Sequence, residues 1–304
     1  MKPTASDKLL RLGLLPVWLS VGFLWLLHWL PLPIQAALGN ALGGLLALIP
    51  GRRRRIVATN LALCFPDTPE NVRKRWLRQC FQASVRATLE HGLLWWGSAA
   101  RLRRLIRIDN PEAALGDGVR PVIWLAPHFV WLDTGGTRLS MEWRAASMYA
   151  PALNPVTDRM IRHGRSRFIP PQLISKNAGI KPVLKAIKAH LPFYYLPDQD
   201  QGRHNAVFVP FFGVPAATLS ALPRLAKLTG AQIVPVITRQ LPWGRGYAVC
   251  FYPPWDNYPS DDVEADVARM NAFIEDRIRE MPAQYLWLHR RFKTRPVGEP
   301  SLYE

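Results

Sequence analysis

The chain has 304 residues, 49% of them apolar and 20% charged, which is enough apolar material for a sizeable core and excludes a disordered chain. Thirty-nine Lys and Arg against 22 Asp and Glu leave a formal charge of +17, so an anionic partner is expected. Nucleic acid is not the one expected, because zinc-finger spacing, a Gly-rich RNA-binding signature and basic runs interleaved with stacking aromatics are all missing. Cys64, Cys80 and Cys250 are odd in number and far apart, which suits a reducing compartment and excludes a disulfide framework.

The first predicted element is Leu9 to Leu30, LLRLGLLPVWLSVGFLWLLHWL. As one helix it would be roughly 33 Å long, about the thickness of a bilayer core, and it predicts a membrane-anchoring helix with Arg11 snorkelling near its end. Pro16 and His28 interrupt the pattern. Pro31, Leu32 and Pro33 follow in place of a small-residue cleavage site, so the segment is expected to be retained. Ile34 to Ile49 is shorter and rich in Gly and Ala, so residues 1–50 read as an anchor followed by an interfacial segment. Arg52 to Arg55, four adjacent arginines beside it, belong on the cytoplasmic side facing anionic headgroups. An ordinary solvated charge run is the alternative.

From Arg52 to Arg107 thirteen basic residues meet three acids, a local +10, on a helical pattern with Trp76, Cys80 and Ala83 near one face. Residues 51–118 therefore read as a basic helical layer. Beyond Val119 strands and helices alternate. Pro121–Ala126, Ala145–Tyr149, Phe193–Leu196, Val207–Phe212, Gln232–Thr238 and Tyr247–Tyr252 read as strands; Pro155–Arg162, Gly179–His190, Thr218–Thr229 and Asp261–Met281 read as helices. The expected fold is α/β, a mixed and largely parallel sheet flanked by helices, with residues 119–304 as its core.

Leu125 to Gly136 reads LAPHFVWLDTGG, which sets His128 just after a buried strand and Asp133 five residues later. Within one regular helix the two would lie roughly 140° apart. His128 is therefore expected in the turn, with Asp133 reaching back from the next helical turn to accept from one ring nitrogen and raise the basicity of the other. A Ser or Cys nucleophile elbow is missing, so this base must activate a hydroxyl that the substrate brings. Among other candidates, Arg162, Arg165 and Arg167 in RHGRSR could neutralise a phosphate or an oxyanion. Asp198 and Asp200 in PDQD could hold an arginine or a sugar, or simply form a turn. Arg290, Arg291, Lys293 and Arg295 could receive phosphates or a carrier protein, or be a solvated run. The remaining histidines lack ligand spacing, and this chemistry needs neither metal nor cofactor.

HFVWLD matches the H-x4-D/E motif of lysophospholipid-acyltransferase-like enzymes, and the chain more closely resembles the lipid A late acyltransferases of Gram-negative bacteria, the lauroyl and myristoyl type. MYAPALNPVTDRMIRHGRSR, YYLPDQDQG, VFVPFFGVPAAT and MPAQYLWLHRRFKTRP resemble that family's blocks in the same order. One departure is Val130-Trp131-Leu132, where many members carry a Gly-Asn-Trp-like run, which affects acceptor packing. The resemblance implies transfer of a fatty acyl group from an acidic acyl carrier protein to a hydroxyl of a lipid A precursor. It further implies a place on the bacterial inner membrane with the catalytic domain on the cytoplasmic side, His128 and Asp133 at the centre, and Arg165, Arg167, Asp200 and Arg290 toward substrate. Acylation of a lysophospholipid, glycerol phosphate or amino-acid lipid stays open, although a block like F-P-E-G-T-R is missing. A non-catalytic membrane-surface protein and a lipid hydrolase are the more distant readings.

Overall fold

The computed structural model describes residues 12–303. After a short 3-10 turn at Leu12–Leu14, helix α1 (Leu15–Leu27) starts with Pro16 in its first turn, where proline's missing N–H costs nothing. The predicted long apolar helix ends early. His28 to Pro31 turn the chain, Arg101 donates to the carbonyls of His28 and Leu30, and α2 (Leu32–Leu46) sets off with Pro33 in its first turn. At 13 residues α1 is about 20 Å long, and no helix among the described residues is long and apolar enough to cross a membrane. Leu9 to Arg11, the start of the predicted anchor, lie outside the described residues.

Helices α3 (Arg52–Cys64) and α4 (Glu70–Trp96) complete the helical layer. The Gly and Ala of α2 have a packing role. A Cβ at Gly39 would sit 2.9 Å from the Arg86 Cα, and one at Gly43 2.5 Å from the Gln82 Cα, so only glycine lets α2 lie this close along α4. At that contact Arg86 and Glu90 form a fully buried ion pair at 3.0 Å. Burial pushes the Glu90 carboxyl up to about 7 in spite of its arginine.

The remaining elements are α5 (Ala99–Leu105), β1 (Ile106–Asp109), β2 (Val122–Leu125), α6 (Leu132–Leu139), β3 (Ala146–Tyr149), α7 (Pro155–Arg165), β4 (Gln172–Ser175), α8 (Lys181–Lys188), β5 (Phe193–Tyr195), β6 (Ala206–Phe211), β7 (Val214–Leu219), α9 (Ala221–Thr229), β8 (Gln232–Gln240), β9 (Tyr247–Phe251) and α10 (Val263–Glu280). Seven strands form one sheet in the order β1-β9-β8-β2-β5-β3-β4, parallel throughout except where β9 runs against β8. A separate antiparallel hairpin, β6–β7, packs on α10. The expected α/β class holds, with three added strands. The basic segment read as helical ends in strand β1, β4 at the far edge, half-exposed as Gln172–Ser175, lacks the apolar run that marked the other strands, and β7 takes Thr218 and Leu219 from the expected helix Thr218–Thr229. The cap of α10 is Asp262, whose carboxylate accepts from the Glu264 and Ala265 amides.

Two apolar clusters line the two faces of the sheet. Ile123, Phe193 and Ile233 join one with α8, α9 and α10; Trp124, Val234 and Tyr247 join the other with α4 and α6. β2 is buried on both faces, which explains its continuous VIWL run. Parallel β2, β5 and β3 open their carboxyl ends along one edge, the place where open α/β sheets bind ligands.

Candidate active site

His128 stands just past β2, in the loop Ala126–Pro127–His128, held by the bond from the Leu286 amide to its carbonyl. Its Nδ1 lies 2.7 Å from Oδ1 of Asp198, and its backbone N–H donates to the same carboxylate at 2.9 Å. The hydroxyl of Tyr285 donates to the other oxygen at 2.8 Å. Asp198 comes from the loop after β5, the neighbour of β2, and is completely buried. Burial acts to raise its pKa, but the charge of His128 and the donors from His128 and Tyr285 outweigh it and bring it down to about 2. A carboxylate kept ionised can only accept, so Nδ1 is the protonated nitrogen, and in the neutral ring it is Nε2 that has the lone pair.

This geometry corrects the expected partner of His128. Among the described residues no hydrogen bond joins His128 to Asp133. Asp133 sits in the first turn of α6, where its Oδ1 accepts from Arg165 of α7 at 2.7 Å and its Oδ2 lies 3.6 Å from Nε2 of His91 on α4. Burial again acts upward on Asp133, and again it loses, here to the nearby His91 ring and the charge of Arg165, so the carboxyl is held well below the usual range. The His91 imidazole is pushed the other way, its burial outweighed by Asp133. The guanidinium, with its fixed fork, is the stronger claimant on the Asp133 carboxylate, and α7 brings it across.

His128, Asp133 and Arg165 line one cavity of about 440 Å³. Its wall follows α6 from Asp133 to Ser140, a rise of about 10 Å, and is otherwise mostly apolar, with Trp124, Leu139, Trp143, Met148, Leu173 and Leu196. Two glycines face different surroundings here. A Cβ at Gly135 would fall 2.0 Å from Oγ1 of Thr238, which explains that residue by packing. A Cβ at Gly136 would meet nothing within 4 Å, and Gly136 lines the cavity. In a helix glycine costs about 1 kcal/mol relative to alanine, with no return visible in the packing of Gly136.

Three expected substrate residues do not line this cavity. Arg167 donates to the carbonyls of Leu94 and Gly97 and fastens the end of α4. Asp200, buried, accepts from the Thr294 amide and hydroxyl and from the Gly202 amide, while its own N–H donates to His289 at 3.0 Å. His289 is correspondingly held neutral, its pKa brought down to about 4 by burial and the charge of Arg291. The Arg290 guanidinium lies 5.7 Å from the Tyr303 ring and does not line the cavity. What the sequence reading missed is Gln199 and Gln201. The extended segment after β5 alternates, with Asp198 and Asp200 turned inward and Gln199 and Gln201 lining the cavity, a period of two that PDQDQG already carries.

Comparison with known proteins gives the family. The family model for bacterial lipid A biosynthesis acyltransferases matches residues 3–294. The chain is 36% identical to a lipid A biosynthesis lauroyltransferase of Escherichia coli K12, with 99% of each chain covered. It is 34% identical to a palmitoleoyltransferase of the same strain, with 94% of each covered, and 31% identical to a myristoyltransferase, covering 90% of this chain and 84% of the relative. A family match over residues 3–294 and 31% to 36% identity along most of the chain place this protein among the bacterial lipid A biosynthesis acyltransferases.

Proposed function

We propose that the protein transfers a fatty acyl chain from the thioester of an acyl carrier protein to a hydroxyl of a lipid A precursor, by direct attack. The observation that carries this reading is the His128–Asp198–Tyr285 relay at the cavity wall. Nε2 of His128 takes the proton of the acceptor hydroxyl as its oxygen attacks the thioester carbonyl, and Asp198 stabilises the imidazolium that forms. The C–O bond forms, the C–S bond breaks, and the proton passes to the departing thiolate. Asp133 positions Arg165, whose guanidinium faces the cavity and can meet the negative charge of the carbonyl oxygen or the acceptor. The acyl chain lies along α6 in the apolar part of the cavity, in the space left by Gly136. An acidic carrier suits the +17 chain, and the acceptor suits a protein at an anionic membrane surface, on the cytoplasmic side of the inner membrane.

Two experiments test it. Enzyme mixed with labelled acyl carrier protein, without acceptor, should retain no covalent label after denaturation; stoichiometric label that chases into product would overturn direct transfer. Gly136→Leu should shift the preference toward shorter donors, with long-chain turnover down by about tenfold or more and melting temperature maintained, because leucine is the better helix former. An equal loss with every donor would remove the acyl chain from α6.

A further inference from the structure

Helix α2 is built inside out. Beyond Leu32, which is buried at its start, its buried face carries Gln35, Ala36, Gly39, Gly43 and Gly44, whereas the large aliphatic residues Ile34, Leu38, Leu42 and Leu45 stand on the outer face, 41% to 61% exposed. A helix of a water-surrounded protein places its large apolar residues the other way, because burying them is what holds it to the core. An exposed apolar row of this kind marks a surface that meets another apolar phase.

The loop between β8 and β9 adds a second element. A Cβ at Gly244 would lie 2.8 Å from the Pro33 Cα, so this loop is seated against the start of α2. Next to it Trp243 adopts a left-handed backbone, φ 59°, which is a genuine outlier for a bulky side chain, and the residue is 88% exposed. The strain holds an indole out in solvent next to the glycine that meets the first turn of α2. Tryptophan with one polar N–H on an apolar body suits the boundary between headgroups and acyl chains. Arg245 in the same loop and Arg52 and Arg55 at the start of α3 are exposed, while Arg53 and Arg54 are bound to the carbonyls of Leu288 and Ala47.

From these observations we infer that the outer face of α2 and the Trp243 loop form a seat on an anionic bilayer, with α2 lying in the plane of the interface. This deepens the membrane association proposed above by naming a surface separate from the N-terminal apolar run. Charge selects the occupant: a row of aliphatic residues and an indole flanked by arginines fits acyl chains below anionic headgroups. The seat connects to the chemistry through α4, which packs against α2 at Arg86 and carries His91 to Asp133.

The test is sedimentation of the full chain with vesicles of phosphatidylethanolamine and phosphatidylglycerol, and with vesicles of phosphatidylcholine alone. Wild type should bind the anionic vesicles more tightly. Trp243→Glu and Leu42→Glu should each weaken that binding by about tenfold or more, while Val119→Glu, an exposed apolar site outside the seat, should leave it unchanged. Turnover of a detergent-dispersed acceptor should be the same for Trp243→Glu and wild type, which shows that the variant folds. If wild type does not bind vesicles, membrane association and the seat fall together. If wild type binds and both variants bind equally well, the seat falls and the N-terminal run is the anchor. A wild-type dimer that Trp243→Glu dissociates, with vesicle binding unaltered, would also overturn it by assigning this face to a second copy.

Discussion

The two acids nearest His128 live in opposite settings. Asp198 is fully buried, with its oxygens taken by the ring and amide of His128 and by Tyr285. Asp133 is 37% exposed at its side chain, borders the cavity, and shares its charge with Arg165 and His91, which belong to two different helices. A buried, saturated carboxylate fixes a tautomer and tolerates little change. A half-open one beside an arginine leaves part of that guanidinium free for a ligand. The difference teaches that the two residues of the H-x4-D motif serve separate networks, one holding the base and the other holding the cation.

The sharpest way to break this division is to remove its centre. His128→Ala should lower turnover by about 10² to 10⁴, the span expected for general-base catalysis, and should also lower the melting temperature, because it leaves the buried Asp198 carboxylate without its ring partner. Loss under tenfold would take the base away from His128.

Asp198→Asn comes next, with an expected loss of roughly tenfold to a thousandfold as the wrong tautomer becomes accessible. Here stability should move as well. The folded pKa of about 2 lies below the ordinary carboxylate value, so the ionised form stabilises the fold above about pH 4, and that contribution fades as pH falls from about 4 through 2. It amounts to about 2 kcal/mol at neutral pH. Urea unfolding at pH 7 and pH 3 should show wild type losing this component and Asp198→Asn lacking it. If Asp133→Asn flattened the acid limb and Asp198→Asn did not, the two networks would have to be exchanged.

A smaller effect sharpens the second network. Arg165→Ala and Asp133→Asn should each lower turnover by about tenfold to a hundredfold, and the double variant should be scarcely worse than either, because both remove one pair. Arg165→Lys should recover only part, lacking the planar fork. Additive losses would mean that Asp133 and Arg165 act separately.

Local pattern carried much of this molecule. The apolar VIWL run, the His128 turn, the alternation of strands with helices and the ordered family blocks follow from residue types within a few positions of each other, where hydrophobic period and turn chemistry act. The H-x4-D spacing drew both residues to one cavity. It could not give their partners, because Asp198 lies 70 residues from His128 and arrives only when β5 pairs with β2. The fates of Arg167, Asp200 and Arg290 escaped for the same reason: a charged residue reads alike whether it faces a ligand or fastens the end of a helix. The 22-residue apolar run has the length of a spanning helix, yet α1 stops at Leu27, and Arg101 holds the carbonyls of His28 and Leu30 in the turn that leads to α2. By itself, then, the sequence determined the α/β fold class, the family and the place of His128 just past β2, all set by local chemistry and total apolar content. Only the tertiary structure decided which carboxylate holds that base, which arginine faces the cavity and which face of α2 is left uncovered, because each depends on elements far apart in the chain packing side by side.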